Sequence, residues 1–460
     1  MDETLAFLAD YAAGLTFDDL STGAVHEAKR RLIDVFGCAL GAYPSEPATI
    51  ARAHAAESTG NPGATVFGTG HLSSAESAAY ANGVMFRYLD FNDMSMARNG
   101  GGHPSDMLAA LLAAAEYGDA DPRRFLTGLV LAYEIADRLA DVCDISIGRG
   151  WDYPTWIAMG SAYGASKALG LQREQIAHAV ALAVVANVSL YQTRRGTLSM
   201  WKGAAGGNAC RNGLFAALLA RRGMTGPAEP YLGDSGFFNQ CAGGPVELPR
   251  FGGDGHPFKL EESKLKYFPA DYEAQTSVHP AAELRKAIGG RLDEIDKIEI
   301  QTYGVAIMIA ADTPAKWAPT TRETADHSIP YLVALGLTRG DVGIEDFTPE
   351  RIADPELRAL MAKMTITENP RYTEAYSEST FFHIKATLRT GEHHVAEIRY
   401  PKGHPKNPMT DAEVEEKFRH QAAPLMGAEQ MDALLDRCWS LEDARGLGEI
   451  MALTRLAYQA

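Results

Sequence analysis

The sequence predicts a mainly α protein, with a large all-helical domain formed by both chain ends and a smaller α+β domain inserted between them. Up to about residue 240, Ala- and Leu-rich segments with apolar residues three and four apart follow one another. After about Gly252, glycine, proline and charge become denser and strand-like alternation begins; helical patterns return beyond Pro401. We therefore expect residues 1–265 and 405–460 to form the helical domain and residues 266–404 the α+β domain, with a ligand cleft between them.

The helices of the first domain are predicted from their periodicity and from their small residues. The segment from Gly203 to Gly207 contains only glycine and alanine, and such residues let helix backbones approach closely. This composition indicates a tightly packed bundle rather than a set of exposed amphipathic helices. The predicted helices are Ala6–Ala13, Leu20–Leu40, Ser73–Leu89, Met107–Tyr117, Phe125–Val142, Ala158–Leu169, Arg173–Val185 and Gly203–Ala220.

The second domain is predicted from alternation of apolar and polar residues. Lys297–Tyr303 alternates like a strand, with Ile298 and Ile300 on one face. Phe381–Leu388 and Val395–Tyr400 lie on either side of a Thr-Gly-Glu turn, an arrangement typical of an antiparallel hairpin. Helices are predicted within this domain and near the chain end, at Pro280–Ile288, Ser328–Leu337, Asp411–Leu425 and Ala428–Leu435.

Charge and composition narrow the possible functions. The formal net charge of −16 opposes nucleic-acid binding, because a polyanion is bound by a basic face. An anionic substrate would therefore need a local basic pocket. No run approaches the roughly 18 apolar residues of a membrane helix, and the start Met1-Asp2-Glu3 lacks the features of a signal peptide. We expect a cytoplasmic protein that binds neither nucleic acid nor a membrane.

The five cysteines, at positions 38, 143, 210, 241 and 438, are sparse along the chain. They lack the clustered spacing of ferredoxin-type iron–sulfur sites and zinc ribbons, so no metal site is predicted. Their odd number argues against a disulfide framework and for a reducing compartment. An iron–sulfur hydro-lyase stays an alternative, since widely spaced ligands can converge in a fold.

The densest polar cluster contains Asp90, Asp93 and His103, with three glycines before the histidine. If the two aspartates lie at a helix end, their spacing places both carboxylates on one side, and the glycines form a loop that can fold over a ligand. His103 precedes Pro104, where a new helix begins, and the helix dipole favours the neutral imidazole that a general base requires. The alternative is structural: caps and turns use the same residue types.

A second cluster combines Arg194 and Arg195 with Lys202, just before the small-residue helix. The ammonium group, the helix dipole and free backbone N–H groups can together hold a carboxylate. Burial beside other cations would also lower the lysine pKa and allow proton transfer. A surface lysine at a helix start is the structural alternative.

Two later segments are also polar. Lys266 begins one that reaches Gln275, and Lys316-Trp317 precedes Ala325-Asp326-His327-Ser328 in the other. A structural interpretation is available for both, with Trp317 in the core and Asp326 or Ser328 as a helix cap. The sequence contains no dinucleotide-binding glycine motif, Walker loop, HExxH site or GxSxG elbow.

These segments, in this order, resemble the MmgE/PrpD family, which contains 2-methylcitrate dehydratases, cis-aconitate decarboxylases and iminodisuccinate epimerases. The resemblance covers nearly the whole chain, and several ordered motifs are more specific than any one. The motifs are Asp90-Phe-Asn-Asp93 with His103-Pro-Ser-Asp106, Met200-Trp-Lys202-Gly-Ala, Lys266-Tyr-Phe-Pro269, Lys316-Trp317 with Ala325-Asp-His-Ser328-Ile-Pro-Tyr331, and Pro401-Lys-Gly-His-Pro followed by Asn407-Pro-Met-Thr-Asp411.

The resemblance implies the MmgE/PrpD fold, with the α+β domain as a lid, a homodimer, a small di- or tricarboxylate substrate and no cofactor. It places active-site residues of the decarboxylase branch at Asp90, His103 and Lys202. Three positions depart from that branch, because Met94 replaces a threonine while Tyr153 and Gln275 replace histidines. The loss of two histidines counts against the decarboxylase, and the Asp90-Phe-Asn-Asp93 and Gln275 forms are closer to the dehydratase side.

The resulting hypothesis is dehydration of 2-methylcitrate or a similar 2-hydroxy acid. His103, oriented by Asp90, moves the proton; Lys202 stabilises the developing charge; Asp93 protonates the departing hydroxyl group. Decarboxylation and epimerisation are alternatives within the enzyme class, and a catalytically inactive helical scaffold is the alternative outside it. The expected substrate-binding residues are Tyr153, Arg194, Lys266, Gln275 and Lys316.

Overall fold

The protein is described by a computed structural model that covers residues 1–97, 100–146 and 148–457. The last three residues of the predicted helical domain, 458–460, lie outside the described residues. Most of the described chain is helical, with small sheets, as predicted. No helix in the described chain has both the length and the apolar character needed to cross a membrane.

The first half of the chain is a bundle of long helices with two short hairpins. A π-helical turn and several 3-10 turns lie between the longer elements. The helices are α1 (Glu3–Gly14), α2 (Thr22–Ala42), α3 (Glu46–Ala56), α4 (Ala75–Arg87), α5 (Leu108–Gly118), α6 (Pro122–Val142), α7 (Pro154–Ala168), α8 (Arg173–Ala186) and α9 (Trp201–Arg221), and the strands are β1 (Ala64–Thr65), β2 (Leu72–Ser73), β3 (Ser95–Ala97) and β4 (Gly100–Gly102).

The second hairpin differs from the prediction. The glycines before His103 do not form a loop, because Gly100–Gly102 pairs antiparallel with Ser95–Ala97. An added Cβ at Gly101 would lie 2.5 Å from the carbonyl oxygen of Ser95, so the close approach of the two strands requires glycine there. The glycines therefore form a strand that holds the backbone in place directly before His103, rather than a loop over a ligand.

Helices α4 and α9 pack directly against each other through glycine. A Cβ added to Gly83 on α4 would lie 2.5 Å from the Cα of Gly207 on α9, far inside normal carbon contact. The prediction of closely packed backbones is confirmed at this crossing. Its position matters, because α4 leads into Asp90 and the first turn of α9 carries Lys202.

The inserted block has short helices around one four-stranded sheet. Strands run in the order β6-β5-β7-β8, with β5 and β6 parallel and the other pairs antiparallel. The elements are α10 (Tyr272–Gln275), α11 (Val278–Ala287), β5 (Ile295–Thr302), α12 (Gly304–Ala310), α13 (Pro314–Trp317), α14 (Arg322–Ala325), α15 (Ile329–Arg339), α16 (Pro349–Ile352), α17 (Pro355–Met361), β6 (Met364–Glu368), α18 (Pro370–Glu374), β7 (Phe382–Leu388) and β8 (His393–Ile398).

The predicted hairpin in this block is confirmed by the antiparallel pairing of β7 with β8. The strand predicted at Lys297–Tyr303 is β5, with Ile298 and Ile300 both buried. Strand β6 was not predicted, because it is a five-residue edge strand in which only Met364 is buried. Such a short pattern carries little periodic signal.

The chain end returns to the first core with α19 (Asp411–Ala422), α20 (Ala428–Trp439) and α21 (Leu447–Leu453). Val414 and Phe418 of α19 are buried in the same apolar cluster as residues of α1 to α9. A second cluster runs from Phe268 to Leu388 and contains the buried face of the sheet. The described chain therefore has two main cores, the first built from both ends; the exact boundaries at residues 265 and 404 and the lid role stay predictions.

Candidate active site

Asp90 is the centre of the polar cluster between the two cores. Helix α4 ends at Arg87, and Asp90 adopts a left-handed backbone conformation with φ of 53°, which aspartate tolerates better than most residues. Its side chain is buried. This turn directs the carboxylate into the interior rather than along the helix surface.

Three cations surround the Asp90 carboxylate. Arg87 Nη1 lies 2.8 Å from Oδ1, and Lys202 Nζ lies 3.0 Å from Oδ2. Lys266 donates both to the carboxylate and, at 3.0 Å, to the Asp90 carbonyl oxygen. Burial alone would raise the pKa of Asp90, but these cations outweigh burial and hold the pKa well below its usual value. Asp90 is therefore a permanent anion at neutral pH.

Asp93 does not share a side with Asp90, so the prediction from their spacing is wrong. Its Oδ1 accepts the Ser105 N–H at 3.0 Å, and its Oδ2 accepts the Tyr133 hydroxyl at 2.7 Å. Arg31 lies 3.5 Å from Oδ2. The chain turns at Asp90, so the two carboxylates leave the helix end in different directions, and Asp93 does not line the cavity described below.

His103 is buried and both of its ring nitrogens have partners. Nδ1 lies 2.7 Å from the Asp93 carbonyl oxygen, which can only accept, so Nδ1 carries the proton. Nε2 then accepts from Arg87 Nη2 at 2.8 Å. Burial, together with Arg87 and Lys266, lowers the pKa of His103 well below its usual value.

The predicted neutral form of His103 follows from these contacts, with burial and two cations as its causes. A helix does begin at Pro104, as predicted: the 3-10 turn Pro104–Met107 continues directly into α5. Asp90 lies 3.8 Å from Nε2, beyond hydrogen-bond distance, so the backbone of Asp93 orients the ring.

Lys202 links the two cores. Its Nζ lies 2.9 Å from both carboxylate oxygens of Asp326 and 3.0 Å from Asp90 Oδ2, with all three side chains buried. Lys202 therefore pairs with two carboxylates, and it shares the Asp90 carboxylate with two other cations, Arg87 and Lys266. Helix α9 begins at Trp201, so the lysine stands in its first turn.

Asp326 also holds the adjacent His327. The Nδ1 atom of His327 lies 2.6 Å from Asp326 Oδ1, and this carboxylate therefore fixes the ring with its proton on Nδ1. Nε2 points towards Asp90 and Asp271, at 3.7 and 3.8 Å. These distances exceed a hydrogen bond, so Nε2 is the less engaged nitrogen, and the ring lines the cavity. Burial raises the pKa of Asp326, but Lys202 and His327 outweigh it, leaving the pKa below its usual value.

A cavity lies between the cores, with walls from both. The polar residues that line it from the helical side are Arg87, His103, Tyr153, Arg194 and Arg195. Those that line it from the α+β side are Asp271, Glu273, Lys316, His327 and Tyr376. The prediction of a polar cleft between the domains agrees with this position. Asp90, His103 and Lys202 are far apart in the sequence but meet beside this cavity, and His103 lines it. This convergence counts against an inactive scaffold.

Arg194 and Tyr153 both lie in the cavity wall. Arg194 Nε contacts Asp152 at 3.0 Å and Nη1 donates to the Lys202 carbonyl oxygen at 2.8 Å. Its buried Nη2 has no hydrogen-bond partner among the described residues. The Tyr153 hydroxyl donates to Asp106 at 3.0 Å and accepts from Arg87 Nε at 3.0 Å. Arg194 Nη2 is therefore the nitrogen of this side chain that can donate to a ligand.

The remaining predicted binding residues divide into two groups. Lys316 lines the cavity but is already bound to Asp312, at 3.0 Å, and to the Ile309 carbonyl oxygen. Lys266 and Gln275 are buried outside the cavity lining. Lys266 contacts Asp90, and Gln275 Oε1 accepts the Phe268 N–H at 2.9 Å.

Sequence reasoning missed several groups at this site. Arg87 has the pattern of an ordinary helix residue. The sequence predicts Asp326 and His327 only as members of a polar segment and a family motif, with Asp326 or Ser328 as a helix cap. Glu273 carries no motif at all. The adjacency of Asp326 and His327 was the available signal, because an acid next to a histidine in a polar segment can form such a pair.

Asp90, Asp326 and His327 are also the residues that could hold a metal ion. One ligand atom from each lies within 4.8 Å of the others. Lys202 Nζ stands between the two carboxylates, however, and a cation would have to displace it. The five cysteines are buried with free thiols, and in the described part of the chain none belongs to such a convergent group.

Fold and site together define a mainly helical protein in which acid–base groups and cations meet at a cavity between two cores. Comparison with known families gives the finer assignment. The MmgE/PrpD N-terminal domain matches residues 6–248 and the MmgE/PrpD C-terminal domain matches residues 268–441. The chain belongs to the MmgE/PrpD family. The second match extends beyond residue 404 into the returning helices.

Curated relatives align along most of the chain. A 2-methylcitrate dehydratase from Cupriavidus necator is 30% identical, over 96% of this chain and 94% of that protein. The mitochondrial 2-methylcitrate dehydratase from Yarrowia lipolytica is 30% identical, over 88% of this chain and 80% of that protein. A cis-aconitate decarboxylase from Homo sapiens is 25% identical, over 96% of this chain and 92% of that protein.

Proposed function

We propose that the protein is a cofactor-independent hydro-lyase that dehydrates 2-methylcitrate or a similar 2-hydroxy acid. The names of its relatives at about 30% identity support a dehydratase. The observation that carries the proposal is the Asp326–His327 pair, whose less engaged Nε2 faces a cavity that also presents a spare arginine donor. A base, His327, and an anion-binding donor, Arg194, therefore line the same cavity.

In this proposal His327 is the base. Its Nε2 removes the proton from the carbon beside a substrate carboxylate, and the Asp326 carboxylate stabilises the resulting imidazolium through Nδ1. This assignment replaces His103, because Arg87 already donates to the Nε2 lone pair of His103. His103 then acts as a positioning residue that holds Arg87 at the cavity.

Arg194 and Arg195 supply the anion site. Arg194 Nη2 is buried and has no partner in the part of the chain that the structure describes, and such an unpaired donor is stabilised by a ligand carboxylate. Arg195 is exposed, lines the cavity and pairs with no described carboxylate; its guanidinium lies 5.1 Å from the ring centre of Tyr191. These two side chains give the cavity the local positive charge that an anionic substrate needs in a protein with a net charge of −16.

In this proposal Lys202 and Asp93 do not contact the substrate but position the residues that do. Lys202 holds Asp326 and Asp90 in place, so it positions the base; Asp93 positions the His103 loop through Ser105. Lys266 keeps Asp90 ionised and fixed. None of these three lines the cavity.

A proton NMR time course in D₂O tests the proposal. Purified enzyme treated with EDTA is mixed separately with 2-methylcitrate, citrate, cis-aconitate and iminodisuccinate. Loss of water from 2-methylcitrate or citrate, unchanged by EDTA, supports the cofactor-independent dehydratase. Loss of CO₂ from cis-aconitate, or exchange at the α-carbon of iminodisuccinate without elimination, assigns the decarboxylase or the epimerase instead. Activity that appears only in untreated enzyme rejects cofactor independence.

We also propose a homodimer in the cytoplasm. Large apolar side chains are exposed on one side of α9, where Trp201 is 46% and Phe215 is 49% exposed, and they lie about four turns apart. Light scattering after size exclusion should give twice the chain mass of 49.6 kDa, and Phe215→Glu should reduce it to one chain mass. Fluorescent tagging of the chain in its host tests the location.

A further inference from the structure

Glu273 is a buried acid in the cavity wall that the mechanism above leaves unused. It belongs to α10, between the Asp271 cap and Gln275, and its side chain is 1% exposed. Oε2 is buried and has no hydrogen-bond partner among the described residues. A carboxyl oxygen left in this state next to a cavity needs a ligand or a proton.

The surroundings of Glu273 favour the protonated form. The Tyr376 hydroxyl lies 3.3 Å from Oε1 and donates to it, which leaves Oε2 as the oxygen that carries a proton. Tyr303 stacks on Tyr376, with ring centres 5.0 Å apart, and its own buried hydroxyl has no described partner. Aromatic rings and hydroxyls cannot neutralise a carboxylate as a bound cation would.

The charged neighbours leave Glu273 without an ion pair. Asp271 opposes its ionisation, whereas Lys266 and Lys264 favour it from a greater distance than an ion pair. Lys266 is committed to Asp90, and Lys264 contacts the Met96 sulfur and the Tyr272 ring. Burial, with help from Asp271, raises the pKa of Glu273 to about 8. The titratable groups facing it are Asp271, Lys264, Lys266, Tyr272, Tyr303 and Tyr376.

We propose that Glu273 is the catalytic acid that protonates the leaving hydroxyl group, a role first expected of Asp93. The inference rests on the proposed dehydration. It stands on three observations: Glu273 lines the same cavity as His327, its Oε2 has no partner among the described residues, and Asp271, two residues earlier, lies 3.8 Å from His327 Nε2. In this proposal the acid, Glu273, and the base, His327, therefore contact one substrate from neighbouring parts of the same cavity wall.

The step balances as follows for a 2-hydroxy acid. His327 Nε2 takes the proton from the carbon next to the carboxylate, and the electrons of that C–H bond form the new C=C bond. The C–O bond breaks with its electron pair on oxygen, and the proton from Glu273 Oε2 completes a water molecule. One proton then returns from His327 to Glu273 through solvent, which restores both groups.

The test compares Glu273→Gln with wild type on 2-methylcitrate and on the analogue that carries fluorine in place of the hydroxyl group. Glutamine keeps the shape but cannot donate the proton. We expect kcat for water loss to fall at least about 100-fold, the size of a general-acid contribution, with KM changed by less than about threefold. Fluoride leaves without protonation, so its loss from the analogue should fall less than about threefold.

The pH profile gives an independent readout. Wild-type kcat should decline as pH rises through about 8, because the acid becomes ionised, and Glu273→Gln should lack this decline. Glu283→Gln is the matched control, since Glu283 lies on α11 with its side chain 65% exposed. Circular dichroism melting of each variant shows that it is folded.

Two results overturn the proposal: water loss by Glu273→Gln within about threefold of wild type, or equal losses for the hydroxy and fluoro compounds. The second result would assign Glu273 to binding or structure. A wild-type protein that dehydrates none of the acids rejects the proposed function itself, which separates the two failures.

Discussion

Lys202 and Asp326 form a buried ion pair that joins the two cores, with Nζ 2.9 Å from each carboxylate oxygen. Both side chains are 1% exposed. The same ammonium group contacts Asp90, and Asp326 also holds His327, so one lysine fixes the geometry of two acids and a histidine. Replacing either partner leaves a buried charge unbalanced.

Lys202→Met should therefore destabilise the protein by about 3–5 kcal/mol, because Asp326 loses its ammonium partner in a buried site. Urea unfolding at pH 7 measures the change. Lys286→Met is the control, since Lys286 is 71% exposed and its loss should change the free energy of unfolding by less than about 0.5 kcal/mol. Equal stability of Lys202→Met and wild type would contradict the buried pair.

A double-mutant cycle isolates the pair itself. Adding Asp326→Asn to Lys202→Met removes the unpaired carboxylate, so the double variant should be more stable than the sum of the two single changes by about 1–3 kcal/mol. Simple additivity in urea would show that the two side chains do not interact.

His327 and Asp93 should differ sharply in turnover. His327→Asn should lower kcat for dehydration by about 100-fold or more, because the base is lost. Asp93→Asn keeps an oxygen acceptor for the Ser105 N–H and should stay within about tenfold of wild type. The measurement is initial rate at saturating substrate. A greater loss in Asp93→Asn than in His327→Asn would restore Asp93 as the acid.

Arg195→Gln should raise KM by at least about tenfold with a smaller change in kcat, since the guanidinium binds the substrate carboxylate before and during reaction. Arg445→Gln is the control, because Arg445 is 95% exposed and does not line the cavity. Unchanged KM in Arg195→Gln would place the anion site elsewhere.

Glu273→Gln should change how stability depends on pH. The pKa of Glu273 is raised to about 8 in the folded protein, above its ordinary value of 4.5, so the folded state keeps a proton that the unfolded state releases. Wild type therefore loses stability as pH rises from about 4.5 towards 8, by up to about 1.4 kcal/mol per pH unit from this group.

The variant lacks this loss, and its stability relative to wild type should increase between pH 5 and pH 8. Urea unfolding at several pH values measures the difference. A constant difference across that range would show that Glu273 is ionised in the folded protein.

The sequence predicted the main helices and the hairpin, because periodic patterns are local signals. The meeting of Asp90, His103 and Lys202 was implied by the resemblance to the family rather than by any local pattern. It did not predict where Asp93 points, since that depends on the left-handed turn at Asp90 and on Tyr133, forty residues away. It did not predict Glu273 either, because its burial among tyrosines arises from chain segments about thirty and one hundred residues distant.

The contact between Gly83 and Gly207 sets the distance between Asp90 and Lys202, because α4 leads into Asp90 and α9 carries Lys202. That distance therefore depends on the absence of side chains at two glycines. A Cβ at Gly83 would lie 2.5 Å from the Gly207 Cα, and a Cβ at Gly207 would lie 2.8 Å from the Tyr80 carbonyl oxygen, so one helix axis would have to shift. Lys202 lies little more than one turn from Gly207, and its 3.0 Å contact with Asp90 would lengthen with that shift. The pair of glycines thus acts as a mechanical spacer for the charged groups that lie beside the cavity.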